Sequence, residues 1–204
     1  MCIRDRTYTV GGSSVAALRN VSLNLPRGKT LAIVGESGSG KSTLVKAAIR
    51  LVDSDSGHVW VGDTDFLALR GSALAANRRR IQMIFQDPYG SLNPRHRVGD
   101  IIARAAQLRG LSAKDAWAEA GDLLEQVGLK RDALKRKPRQ FSGGQRQRIG
   151  IARALAMRPE VLIADESVSA LDVSVQKQVL ELLADLQKQL NLSCLLYTSD
   201  AADE

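Results

Sequence analysis

At 204 residues with a formal charge of +7, the chain can form one α/β domain with a sizeable core, and it is too short for two full domains. It has no apolar run of the roughly 18 to 20 residues that cross a bilayer, and no basic stretch leading into an apolar core near Met1, so the expectation is a soluble chain without its own export signal. Cys2 and Cys194 stand near opposite ends without metal-ligand spacing, which suits a reducing compartment, with the cytoplasm as the default.

Apolar strands alternating with helical patterns predict a largely parallel sheet covered by helices. The first short strands are Val21 to Leu25 and Thr30 to Val34. Directly behind the second, Gly35-Glu36-Ser37-Gly38-Ser39-Gly40-Lys41-Ser42-Thr43 fits G-x-x-x-x-G-K-[ST] between a strand and a helix carrying Leu44, Val45, Ala48 and Ile49. Glycines let consecutive backbone N–H groups turn inward around an anion, so the loop is expected to hold nucleotide phosphates. Lys41 would reach the β/γ-phosphates and Ser42 would ligate Mg²⁺, while the helix points its positive dipole end at the same charge. The alternative, a glycine turn without a ligand, leaves the lysine, the hydroxyl and the spacing unexplained.

Strands Val59 to Val61 and Ile81 to Phe85 follow, and from Asp87 to about Lys137 the texture changes to loop and helix. Val98, Asp100, Ile101 and Ile102 open one helix there. Ala116, Ala120, Leu123, Leu124 and Val127 mark the buried stripe of another, started by the capping pattern Ser112 and Asp115. The whole reads as a helical insertion between sheet strands. Phe141-Ser142-Gly143-Gly144-Gln145-Arg146-Gln147-Arg148 then supplies a hydroxyl and two unhindered amides opening a helix to about Ala156. Taken alone, a plain N-cap would account for it.

Val161 to Ala164 forms a buried strand ending in Asp165 and Glu166, at the strand end where ligands bind in parallel sheets. Asp165 is expected in the Mg²⁺ shell and Glu166 as the carboxylate that polarises attacking water; the alternative is two acids capping the next helix. From Val173 to Leu190, Val175, Val179, Leu182, Leu183, Leu186 and Leu190 share one helix face, which is core packing. Positive charge clusters at Arg78 to Arg80, Lys130 to Arg139, and Arg146 with Arg148. Aromatics are only 4% of the chain and none interleaves these clusters, so a solvated basic face is expected rather than a base-stacking platform.

Together the glycine loop, Gln86, the Ser142-Gly143-Gly144 element, the acid pair and Ser169-Ala170-Leu171-Asp172 closely resemble the nucleotide-binding domain of ATP-binding cassette (ABC) transporters. The resemblance spans roughly Tyr8 to Ser193. It implies a P-loop core with a mostly parallel sheet, an N-terminal antiparallel β part and a helical subdomain at about 87–150. It also implies a Mg²⁺-dependent ATPase in which two ATP are sandwiched in a head-to-tail dimer, with Ser142, Gly143, Gly144 and Gln145 completing the opposing subunit's site. Gln86 resembles the loop glutamine that senses Mg²⁺ and water, Tyr8 the aromatic stacked on adenine, and Asp172 the residue that communicates across the dimer. An ordinary strand tyrosine is the alternative for Tyr8.

Ile81 to Pro88 followed by Ser91-Leu92-Asn93-Pro94 is similar to the oligopeptide, dipeptide, nickel and glutathione importer branch. This implies membrane permease subunits, indirectly a solute-binding protein, and a place at the cytoplasmic face of the cell membrane. No nucleic acid partner is expected. A soluble ABC ATPase acting on nucleic acid or ribosomes, and a nucleotide-binding fragment without turnover, stay open as alternatives. The chain departs from the branch at Ser167, where proline or alanine is usual, and at Lys137-Pro138-Arg139-Gln140, where a Tyr-Pro-His-Glu-like stretch is usual. After the strand near Ser193 to Leu196 the family carries a Ser-His-Asp switch, and this chain reads Tyr197-Thr198-Ser199-Asp200. Residues 1–6 and 195–204 resemble translated sequencing adapter, so the expectation is an ABC domain over 7–196 within an interrupted gene fragment.

Overall fold

The computed structural model describes residues 2–10, 13–165 and 172–199. In chain order the elements are β1 (Cys2–Val10), β2 (Ser13–Ser22), β3 (Thr30–Gly35), α1 (Lys41–Ala48), β4 (Ser56–His58), β5 (Trp60–Val61), β6 (Thr64–Asp65) and α2 (Gly71–Asn77). They continue with β7 (Ile81–Ile84), α3 (Val98–Leu108), α4 (Ala113–Gln126), α5 (Gly143–Leu155), β8 (Val161–Asp165), α6 (Val173–Leu190) and β9 (Ser193–Ser199).

Four strands form the parallel sheet in the order β3-β9-β8-β7, with Leu31 opposite Leu195, Ile163 opposite Leu195 and Met83 opposite Ile163. Because side chains alternate along a strand, β7, β8 and β9 each feed two cores, whereas β3 lends only Leu31 and Ile33 to one of them. Ile81, Met83, Ile163, Leu195 and Tyr197 pack with Leu44, Val45, Ala47 and Ala48 of α1 on one face. Ile84, Leu162, Ala164 and Cys194 pack with Ile149, Ile151, Ala152 and Leu155 of α5 and with Val179, Leu183 and Leu186 of α6 on the other. Burial of Cys194 pushes its thiol up to about 11, so it stays neutral.

The sheet is α/β as expected, and α6 has the bounds that its apolar period predicts. The expected strand from Val21 to Leu25 is the tail of β2, which ends at Ser22. Half-buried Val21, Leu23 and Leu25 keep alternating with exposed neighbours, and Pro26, which has no N–H to donate, follows. β1 pairs antiparallel with β2 on one side and with β4 on the other, an arrangement that the polar sequence of β1 does not announce. Residues 195–199, read from the sequence as resembling foreign sequence, form the last part of β9 between β3 and β8.

Between β7 and β8 stand α3, α4 and the first half of the chain leading into α5. Val98, Ile102 and Ala106 of α3 close on Ala116, Ala120 and Leu124 of α4. Ser112 caps α4 by accepting from Asp115 N–H at 3.1 Å, as its sequence pattern predicts. Arg109 at the end of α3 reaches both Glu119 oxygens, at 2.6 and 2.8 Å, and ties the two helices together. At the start of the strands Arg80 holds Glu160 at 2.6 and 3.0 Å and also donates to Val61 O, so β5, β7 and β8 are clamped at one end.

Candidate phosphate-binding site

β3 runs straight into the glycine loop, and α1 begins at Lys41. Gly38 and Gly40 have φ of +81° and +93°, the left-handed region that an L side chain rarely adopts. A Cβ at Gly38 would meet nothing within 4 Å, so the hand of the backbone, not crowding, requires glycine there. Gly40 is the N-cap of α1 and offers no side chain to it, and the first turn carries no acidic residue. The positive end of α1 therefore faces the loop without an internal counter-charge. Glu36 to Ser39 are exposed.

Lys41 is 8% exposed, and its ammonium is held by the loop itself. Nζ donates to Gly35 O at 2.5 Å, to Glu36 O at 2.7 Å and to Ser39 Oγ at 3.4 Å. A buried ammonium needs such compensation, and these carbonyls place it inside the curve of the loop. Ser42 and Thr43 follow, half-buried, in the first turn of α1.

Parallel register sets the other candidates along the same edge. Gly35 lies opposite Ser199, Asp165 opposite Tyr197, and Ile84 opposite Ala164, so Gly35, Asp165 and the exposed Gln86, two residues past β7, all stand at the C-terminal ends of the strands. That is the edge where ligands bind in open parallel sheets. Asp172 is the N-cap residue of α6 and makes no side-chain cap bond. Tyr8 sits in β1 opposite Val15, with its ring outside what the structure describes. Glu166 lies outside the described residues.

Ser142 opens α5, accepting from Gln145 N–H at 3.3 Å while Gln145 Oε1 accepts from Ser142 N–H at 3.1 Å. α5 packs on the sheet face opposite to the one that carries α1. The two glycine-bearing elements thus open helices that pack on different faces of the sheet. Gly144 has a packing reason of its own, since a Cβ there would stand 2.5 Å from Val175 Cγ1 of α6. Gly144→Ala is expected to lower stability by about 1–3 kcal/mol in a denaturant melt, with most of the loss recovered in Gly144→Ala/Val175→Ala. An unchanged melting midpoint for the single variant would show that α6 shifts freely.

The structure adds contacts around Gln86 that the sequence reading assigned no role. Asp87 turns the chain by accepting from Tyr89 N–H at 2.7 Å and Gly90 N–H at 2.9 Å. Arg146 of α5 lies 4.0 Å over the Tyr89 ring, and Arg153 donates to Ser91 O. The segment after Gln86 is thereby fastened to the helix that Ser142 opens. An aspartate two and three residues ahead of free amides was the available signal for the turn; the two arginine contacts have no local signal.

A phosphate-suited loop on a parallel sheet, Asp165 at the same strand ends and a helical insertion define a P-loop nucleotide-binding domain of the cassette type. The ABC transporter family model matches residues 18–169, and the chain belongs to that family. Among its relatives, the probable peptide ABC transporter ATP-binding protein y4tS of Sinorhizobium fredii is 50% identical over 189 residues, 92% of this chain and 54% of that protein. The glutathione import ATP-binding protein GsiA of Escherichia coli is also 50% identical over 189 residues, 92% of this chain and 30% of that protein. The chain thus spans about half the length of the first and less than a third of the second. The dimeric post-hydrolysis structure of the ATP-binding cassette MJ0796 bound to ADP and Pi superposes with a TM-score of 0.85 at 30% identity, covering 97% of this chain and 86% of that one.

Proposed function

We propose that this chain is the ATP-binding and hydrolysing part of a transporter that imports peptides or similar small solutes. The observation that carries the reading is the loop from Gly35 to Lys41, built with left-handed glycines, an uncapped helix start and a lysine drawn into its curve. The names of the relatives, peptide and glutathione import ATP-binding proteins, support the class of solute. Separate permease subunits would form the pathway, as the names of the import ATP-binding relatives support; among the described residues no helix is long and apolar enough to cross a membrane. A solute-binding protein would deliver cargo to the permease subunits, with this chain on their cytoplasmic face.

The residues present fit Mg-ATP. Amides of the loop from Ser37 to Thr43 would cradle the phosphates, and Lys41 would exchange its hold on Gly35 O and Glu36 O for phosphate oxygens. Ser42, Asp165 and Gln86 are oxygen donors suited to Mg²⁺, which when bound would neutralise charge on the β- and γ-phosphates. Tyr8 would stack on adenine. Glu166 would hold and polarise the water for in-line attack, and no covalent intermediate is required.

Because Ser142, Gly143, Gly144 and Gln145 stand on the other face of the sheet from α1, they would complete the site of a second ATPase subunit, identical or related. Asp172 would lie where the two subunits communicate. Two chains closing around two ATP, then separating after hydrolysis, would work the permease through the helical part from Gln86 to Val98. Thermal melts test the first step: Mg-ATP is expected to raise the melting temperature, and ATP with a chelator to raise it less, since only a folded site gains stability from its ligand. A cooperative melt indifferent to Mg-ATP would sink the reading.

A further inference from the structure

Two basic segments that are distant in sequence become one surface in the fold. Val98 N–H donates to Arg136 O at 2.9 Å, which sets the start of α3 beside the stretch leading to Ser142. Segments 95–100 and 132–139 together hold six Lys and Arg residues against two carboxylates, Asp100 and Asp132. All six cations, Arg95, Arg97, Lys135, Arg136, Lys137 and Arg139, are exposed.

Their state of pairing separates them from other arginines. Arg80, Arg109, Arg131 and Arg158 each have a carboxylate within 4 Å, whereas none of these six does among the described residues. Arg136 lies 4.3 Å over the Phe141 ring and so is laid against the protein rather than neutralised. Unpaired like charges held side by side raise the local potential and repel one another, a cost that an anionic surface would relieve.

We propose that this patch binds the anionic headgroups of a lipid bilayer. The inference rests on the import reading, which turns the segment after Gln86 toward the membrane; Arg95 and Arg97 lie in that segment. A nucleic acid would offer phosphates too, but the two segments carry no Phe, Tyr or Trp, His96 is their one aromatic ring, and the adjacent Phe141 is buried under Arg136, so a run of bases would find little stacking surface. Each cation near an anionic leaflet adds attraction that fades within a Debye length and with added salt.

The test is co-sedimentation of the 204-residue chain with vesicles of phosphatidylcholine alone or mixed with phosphatidylglycerol. Binding is expected only to the mixed vesicles, weakening as salt rises. Arg95→Glu/Lys135→Glu/Lys137→Glu is expected to lower that affinity at least about a hundredfold. Reversal of three exposed cations elsewhere, Arg78→Glu/Arg79→Glu/Lys188→Glu, is expected to change it less than about threefold, because only patch charges lie within screening range of the surface. Equal binding to neutral vesicles, equal losses in both variants, or tighter binding to single-stranded RNA than to mixed vesicles at one salt concentration would each overturn the proposal. Calorimetric Mg-ATP binding, measured on the same preparations, keeps the two readings apart. Lost nucleotide binding with intact, patch-dependent vesicle binding would sink the import reading alone.

Discussion

Lys41→Ala is expected to abolish measurable Mg-ATP binding while leaving a cooperative melt. The side chain is the one cation drawn into the curve of the glycine loop, and its donors are aimed inward at Gly35 O and Glu36 O. Against phosphate oxygens the same donors would make charge-assisted hydrogen bonds, and losing two of them costs roughly 3 kcal/mol or more, over a hundredfold in Kd. The fold loses less. Glu36 is exposed and Gly35 half-exposed, so water can reach the loop carbonyls that the ammonium releases. Isothermal calorimetry beside a thermal melt checks both halves; an unchanged Kd would remove the loop from the nucleotide site, and loss of the melt would make Lys41 a structural residue.

Glu166→Gln is expected to keep Mg-ATP and to stop turnover. The amide is close to the carboxylate in size and removes only the charge and the basicity needed to polarise water, a contribution of about 10²–10⁴ in rate. Phosphate release should fall by that factor with Kd moved less than about threefold, a split that a damaged binding site would not produce. Hydrolysis at the unsubstituted rate would assign the base to another group at the same strand ends, with Asp165, the last residue of β8, the first to examine.

Local patterns made much of this legible. The helix from Val173 to Leu190 is marked by six apolar residues on one face and ends at Asn191, whose φ of +50° takes the left-handed cap. Ser112 and Ser142 read as caps because a hydroxyl followed three residues later by a matching side chain is a short-range device, complete within one helical turn. β1 and β4 stayed hidden for the converse reason. β1 is held by ladders with β2 and β4, and β4 by its ladder with β1, so neither carries a period that stands without its partners.

By itself, the sequence determined the position of the glycine loop, the order of strand and helix around it and the side-chain chemistry available at Lys41, Ser42, Asp165 and Glu166, because spacing and side-chain type are written residue by residue. Only the tertiary structure decided that Gly35, Asp165 and Gln86 reach one edge, since that depends on β9 entering between β3 and β8 in parallel register. It likewise decided that α1 and α5 cover opposite faces of the sheet. The gathering of Arg95 and Arg97 beside Lys135 to Arg139 is of the same kind. It is set by the backbone hydrogen bond from Val98 to Arg136 and by Val98 and Ile102 sharing a core with Ala133 and Leu134, residues whose separation along the chain gives no sign of contact.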